Sequence, residues 1–319
     1  MRSLIRRRPI AVLALAALAG AVLLAEDEAP GIDPASIKNA GAFRLGDAAL
    51  DTVRRNGWAV ERGAHKDFYP LYTRERYPFV TADSVFHCYF LIFSETFHRI
   101  EETRFLPLAR QFTEVMLEGA RHEDGMDRPL AFLLIASTLL GGDPEVPASL
   151  QPVVDAELAL VRDAAGPAQS PLWGRDTDYS QFLPRAASAR SSDSAHLHRG
   201  LMWYQRGLFQ LESEEETRDA LALSRLYLAA PKAVEAWKEI DGWISYFVGP
   251  ADDPGIETYA RLAGDVFGGV IPANPDATQL AGFRERALAL PPPSICGEVL
   301  GPGETPAFQR TTRGMRCFA

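Results

Sequence analysis

The chain has 319 residues, 47% of them hydrophobic, with 42 Asp and Glu against 33 Lys and Arg and a formal net charge of −9. That balance excludes a nucleic-acid partner, because a phosphate backbone demands clustered Lys and Arg, and an anionic membrane surface repels the chain for the same reason. The length and hydrophobic content suffice for a full core, as one large domain or two smaller ones.

Arg2, Arg6, Arg7 and Arg8 precede an apolar run over residues 10–25 that is followed by Glu26, Asp27 and Glu28. This is the pattern of a signal peptide. Its 16 apolar residues fall short of the roughly twenty that a spanning helix needs, so residues 1–25 are read as removed on export, after Ala21 or Ala25. The chain that remains carries 29 basic against 42 acidic residues, a net charge near −13. Periplasmic or extracellular placement follows as an expectation, with no stable membrane insertion after cleavage. Residues 26–44 lack periodicity and are expected to form a disordered linker.

Ala49, Leu50 and Val53 at helical spacing predict a helix over 47–56, stopped by Asn56-Gly57. An irregular aromatic segment follows, in which His65, Tyr72 and Tyr77 are expected to border a cleft. Then comes the stretch TADSVFHCYFLIFSETFHRIEE at 81–102. At 100° per residue, Val85, Phe86, Tyr89, Phe90, Ile92, Phe93, Phe97 and Ile100 share one arc, which predicts a core face. Ser84, His87, Ser94, Glu95, His98 and Glu102 form the opposite, lysine-free polar stripe. A solvated face explains such a stripe, as does the wall of a pocket, where short polar groups orient a ligand. Asp83 and His87 stand one turn apart, so the carboxylate can orient the imidazole as a base, although Asp83 also suits helix capping. Asp83, His87 and Glu95 are the candidate catalytic residues.

Further helices are expected at 105–121, 127–140, 149–164, 194–211, 214–229, 232–248, 255–267 and 276–289, separated by Gly- and Pro-rich breakers. Asp176, Asp178 and Ser180 imitate the opening of a calcium loop, yet Gln181 stands where a Gly is required, which excludes it. In AHLHRGLMWYQRGLFQL, His196, Arg199, Trp203 and Arg206 are read as one polar side, with Trp203 between two Arg as a platform for a sugar or a clamp for an acid. The fold expected is mainly α, with antiparallel helical pairs around a central buried helix at about 81–102 and little or no sheet. A single domain is drawn from residue 45 to 319. Its apolar ending, Met315, Cys317 and Phe318, predicts continuation past Ala319 and exposure of those side chains in this chain. Export permits a disulfide between Cys296 and Cys317.

Five segments taken in order, FVTADSVFHCYF, DYSQFLPR, HRGLMWYQR, ADDP and LPPPSICG with TTRGMRCFA, resemble the uncharacterised bacterial family DUF3160 over most of the chain. That resemblance implies export and a helical fold, and transfers no catalytic residue. The sequence departs from the family pattern after Pro184-Arg185, where Ala186-Ala187-Ser188 replaces a Gly-His-Tyr-like continuation. Tyr179 and Arg185 of this segment join Trp203, Arg199 and Arg206 as candidate ligand contacts.

No nucleophile elbow, phosphate loop or metal-ligand cluster is present in the sequence, so no metal site or cofactor is assigned. The expected function is an envelope or extracellular binding protein with a glycan or an envelope protein as partner. One alternative is a glycan-active hydrolase or lyase using Asp83, His87 and Glu95. The second is a metalloprotein drawing on His87 or His98 with a ligand from another helix, such as His196.

Overall fold

The structure, a computed structural model, describes residues 31–37, 46–60, 82–292 and 313–318. The expected signal peptide, the aromatic segment with His65, Tyr72 and Tyr77, and Cys296 lie outside the described residues. The chain divides into two compact units, 1–90 and 91–319, with the boundary inside one helix.

The first unit contains α1 (Asp47–Asn56) and the opening turns of α2 (Ala82–Ile100). Helix α1 stops at Gly57, whose φ of 76° forms the left-handed cap that a Cβ would oppose. A short 3₁₀ turn at Pro34–Ser36, inside the expected linker, is capped by the Asp33 side chain. On α2 the expected core arc is not buried. Phe86 is 71% exposed and Phe90 61%, and Val85 and Tyr89 are also exposed.

In the second unit α2 begins to pack. Phe93 contacts Phe97 and Phe247, Phe97 meets Phe105 edge-on, and His98 is buried. The helix then runs through a π-helical turn at Glu101–Phe105 into α3 (Leu106–Arg121). The cause is local. Pro107 lacks the N–H that would bond the Thr103 carbonyl and its ring crowds that carbonyl, so the ladder widens and Leu106 N–H donates to Glu101 O instead.

Helix α3 is the central one, a correction to the placement at 81–102. Leu106, Ala109, Phe112, Thr113, Met116, Leu117 and Ala120 are buried. These residues recur at the three- and four-residue spacings of a helix face, so one stripe reaches several neighbours. Those neighbours are α4 (Asp127–Leu139), α6 (Ser192–Arg206), α7 (Glu214–Ala229) and α8 (Pro231–Phe247). Helix α4 is buried on every side from Ala131 to Ala136, as a helix apolar all round must be. Helix α5 (Gln151–Asp163) packs on α4, and α9 (Ile256–Val266) and α10 (Ala277–Leu288) pack on α7.

Among the described residues, strand is confined to two small antiparallel pairs: β1 (Pro167–Gln169) with β2 (Asp176–Asp178), and β3 (Phe209–Gln210) with β4 (Gly314–Met315). The expected helix 194–211 therefore ends early. Gly207 lies so close to Phe132 that a Cβ would approach its ring to 2.4 Å, and the chain leaves as strand. Pairing with β3 carries the C-terminal segment inward. Met315, Cys317 and Phe318 are buried rather than exposed. Trp237 Nε1–H donates to the Cys317 carbonyl at 2.6 Å, and the Cys317 thiol is free. The expected Cys296–Cys317 pairing involves Cys296, which lies outside the described residues. No helix among the described residues is long and apolar enough to cross a membrane.

Candidate functional site

A cavity of about 150 Å³ in the second unit is lined by Glu101, Ser188, Ser194, Leu197, His198, Leu201, Met202 and Gln205. Helix α6 supplies one wall. Ser194, Leu197, His198, Leu201, Met202 and Gln205 follow the three- and four-residue spacings of a helix face. The π turn supplies Glu101, which its extra residue swings round relative to an unbroken helix.

Behind Glu101 lies a connected polar group. Glu102 Oε1 accepts hydrogen bonds from the Ser191 hydroxyl and, at 2.8 Å, from the Ser194 hydroxyl. These two hydroxyls, Ser191 first, hold the Glu102 carboxyl below its ordinary range by stabilising the anion. His98 Nε2 stands 3.3 Å from Glu102 Oε1 and 3.4 Å from Ser194 Oγ. Its Nδ1 is 3.7 Å from Glu101 Oε2 and, although buried, has no hydrogen-bond partner. Burial pushes the Glu101 carboxyl up, against the pull of the neighbouring imidazole. Ser191 caps α6 by accepting from Ser194 N–H at 3.0 Å, which fixes Ser194 in the first turn.

His198 is half-buried, and its Nε2 donates to the Gln181 carbonyl at 3.1 Å. Desolvation, with some help from the Arg199 charge, lowers its pKa, so the neutral ring with a lone pair on Nδ1 is favoured. The cavity thus presents a carboxyl whose acidity is reduced beside an imidazole whose basicity is reduced. Both shifts favour the neutral form of each group, so the two can exchange hydrogen bonds with an uncharged ligand.

The residues expected from the sequence are distributed differently. Asp83 and His87 lie exposed on α2 in the first unit, and neither is among the residues that line this cavity. Glu95 is engaged by Arg190 at 3.0 Å and by Arg99 at 3.5 Å, and Arg190 above all lowers its pKa. Trp203 is 2% exposed, with its indole N–H on the Phe132 carbonyl at 3.0 Å and its ring against Phe132 and Phe182. It is a core residue, and no face is open to a sugar. Gly200 explains the reversal: a Cβ there would meet Leu140 Cδ2 at 2.3 Å, so α6 lies against Leu140 along Gly200 and turns Trp203 inward.

Tyr179 is buried and donates its hydroxyl to Glu157. That carboxyl also accepts from Ser170 at 2.8 Å and Leu172 N–H at 3.1 Å, and burial holds it above its ordinary pKa. Tyr179 therefore ties the 3₁₀ turn after β2 to α5 instead of facing a ligand. Arg185 is exposed, its backbone N–H on Ser188 Oγ. Arg199 and Arg206 are half-buried on α6, outside the cavity lining. His196 is held by the Leu139 carbonyl at 3.0 Å. Among the described residues, no three His, Cys, Asp or Glu side chains are placed to hold a metal.

Sequence reasoning identified Glu95, His98 and Glu102 as one polar stripe. It missed Glu101, because the phase of an ideal helix cannot include a π turn, and it missed Ser191, Ser194 and His198. The signal for Ser191 and Ser194 was the run SSDS before an apolar helical pattern, a cap followed by a first turn. A larger groove of about 270 Å³ along α7 is a weaker candidate. Its charges largely satisfy one another, Arg128 with Asp219 and Glu215 and Arg225 with Glu123 outside the groove.

No curated protein and no solved structure matches this chain. A family model does match, over residues 46–318, and the chain accordingly belongs to the family described as protein of unknown function, DUF3160.

Proposed function

We propose that this chain is an exported protein that binds one substituent of a glycan in the cavity between the π turn and α6. The observation that carries the reading is the lining itself: Leu197, Leu201 and Met202 form an apolar wall, while Glu101, Ser194, His198 and Gln205 converge on the same space. A few polar groups over apolar walls are the ordinary composition of a small-molecule site. At about 150 Å³ the space is smaller than the roughly 300–1,000 Å³ of pockets that enclose a whole drug-sized ligand. It suits the end or side group of a longer chain. Export is supported by the basic and apolar pattern of residues 1–25.

Calorimetry of the exported chain against bacterial polysaccharides and their oligosaccharides tests this. Binding is expected, and Gln205→Leu, which keeps bulk but removes both amide groups, is expected to weaken it roughly tenfold, the loss of one to two hydrogen bonds. Saturable binding that Gln205→Leu leaves unchanged would place the glycan elsewhere, and no binding to any of them would end the reading.

A further inference from the structure

We infer that the cavity is an acyl-transfer site in which Ser194 is the nucleophile and His98 its base, acting on a short-chain carboxylic ester carried by the bound ligand. The inference rests on the proposed binding cavity and goes beyond it by assigning a reaction.

Ser194 lines the cavity and its Oγ is 3.4 Å from His98 Nε2. Contacts between nucleophile and base are often looser than a hydrogen bond before substrate arrives. Glu101 Oε2 stands 3.7 Å from His98 Nδ1, and Glu102 Oε1, 3.3 Å from Nε2, already accepts from the Ser191 and Ser194 hydroxyls. The His98 side chain is only 8% exposed, and its Nδ1 is buried without a hydrogen bond. A buried ring nitrogen left open next to a carboxyl is costly as architecture alone. It is what a base needs if the carboxyl is to tighten on Nδ1–H as the ring becomes charged. The π turn that brings Glu101 beside this ring is a distortion found often at functional sites.

Ser194 also occupies the first turn of α6, a helix of 15 residues. The N–H groups of Ser192 and Asp193 have no acceptor within the helix, since the first turn never does. The positive end of the helix favours negative charge where an oxyanion would form. Leu197, Leu201 and Met202 give a short acyl chain an apolar wall.

The step balances as follows. The Ser194 hydroxyl turns from Glu102 to His98, and Oγ attacks the ester carbonyl carbon, forming the new C–O bond while its proton passes to His98 Nε2. The tetrahedral adduct collapses, the bond to the alcohol oxygen breaks, and the alcohol leaves with the proton from Nε2. Water, deprotonated by the same nitrogen, then attacks the acyl-serine and releases the carboxylic acid, returning the proton to Ser194. No oxidant, reductant or metal is required.

The test treats the exported chain with a short-chain alkyl fluorophosphonate, which loses fluoride to an activated serine, and locates the adduct by peptide mass spectrometry. Release of nitrophenol from p-nitrophenyl acetate is followed in parallel. The expected result is a single adduct on Ser194, none in Ser194→Ala, labelling slowed roughly 100-fold in His98→Gln by loss of the base, and no change in Ser149→Ala, an exposed serine outside the cavity lining. Melting curves establish that each variant is folded. Because the position of the adduct in the unaltered chain is itself decisive, a variant that fails to fold does not leave the question open. No adduct, an adduct elsewhere, or His98→Gln labelling at the original rate would overturn the inference. If polysaccharide binding is observed without labelling, only the reaction is wrong. Absence of both removes the binding site as well.

Discussion

Replacing Trp203 by Ala separates the two roles this residue has been given. An exposed sugar platform would leave stability within about 0.5 kcal/mol, as surface substitutions do. The structure places the indole at 2% exposure, against Phe132 with centroids 5.4 Å apart and Phe182 at 6.3 Å, with its N–H on the Phe132 carbonyl. Truncation empties that space and should cost about 3–5 kcal/mol, of which the indole hydrogen bond accounts for about 1 kcal/mol. In a folding unit of more than 200 residues this lowers the melting temperature by on the order of 10 °C. Trp203→Phe keeps most of the ring and should lose only the smaller share. Calorimetric melting and urea titration of the three proteins give the answer. A Trp203→Ala protein that melts within about 2 °C of the parent would refute the core assignment, together with the explanation that Gly200 turns α6.

Gly200→Ala should destabilise by about 1–3 kcal/mol from overpacking on Leu140, although Ala is the better helix former by about 1 kcal/mol; a more stable variant in urea titration would show that Leu140 moves aside freely. Glu157, buried among Tyr179, Ser170 and Leu172, has a folded pKa raised by burial above the ordinary carboxyl value of 4.5. The native state thus holds its proton more tightly than the unfolded one, so the stability it contributes is greatest below 4.5 and declines as pH rises through the folded pKa. Glu157→Gln, which copies the neutral form, should flatten that part of the pH–stability curve, and an unchanged slope would contradict the assignment. Cys317, buried with its thiol pKa pushed up by desolvation, should resist alkylation until denaturant is added, whereas exposed Cys88 should react at once. Peptide mapping after brief iodoacetamide treatment distinguishes them.

Much of the fold was legible. Helix α7 occupies the expected span 214–229 and stops at the Ala230-Pro231 break, and α4, α8, α9 and α10 agree with their expected spans to within a residue or so. Those segments carry strong periodicity and sharp breakers, which are local properties. The failures concern what lies opposite a helix. The apolar arc of α2 has the composition of a core face, yet periodicity says only that the arc is apolar, not that a partner covers it. Trp203 was assigned by its neighbours Arg199 and Arg206, whereas Gly200, Trp203, Tyr204 and Gly207 already spell the close-approach face of α6 at helical spacing. The candidate site joins His98 to Ser194 across 96 positions. Nothing in either local segment encodes that meeting, and the π turn that adds Glu101 arises from the Pro107 ring rather than from any motif around the glutamate.

The pairing of β3 with β4 has a kinetic side. Phe209 and Met315 are separated by about a hundred positions in the chain, and Arg316 reaches back to the Gln205 carbonyl at 2.6 Å and to Asp253 at 2.9 Å. Closing so long a loop costs about 2 kcal/mol more in chain entropy than closing one of ten residues, and contacts of that range slow folding. Phe318 packs on Phe112, Tyr204 and Trp237, so the faces of α3, α6 and α8 that meet it stay uncovered until synthesis has reached it. During translation the helices can form and pair, but the core they share cannot close before residues 314–318 have left the ribosome. Until then the growing chain exposes aromatic surface, and those faces are the ones an incomplete chain has to keep from pairing elsewhere.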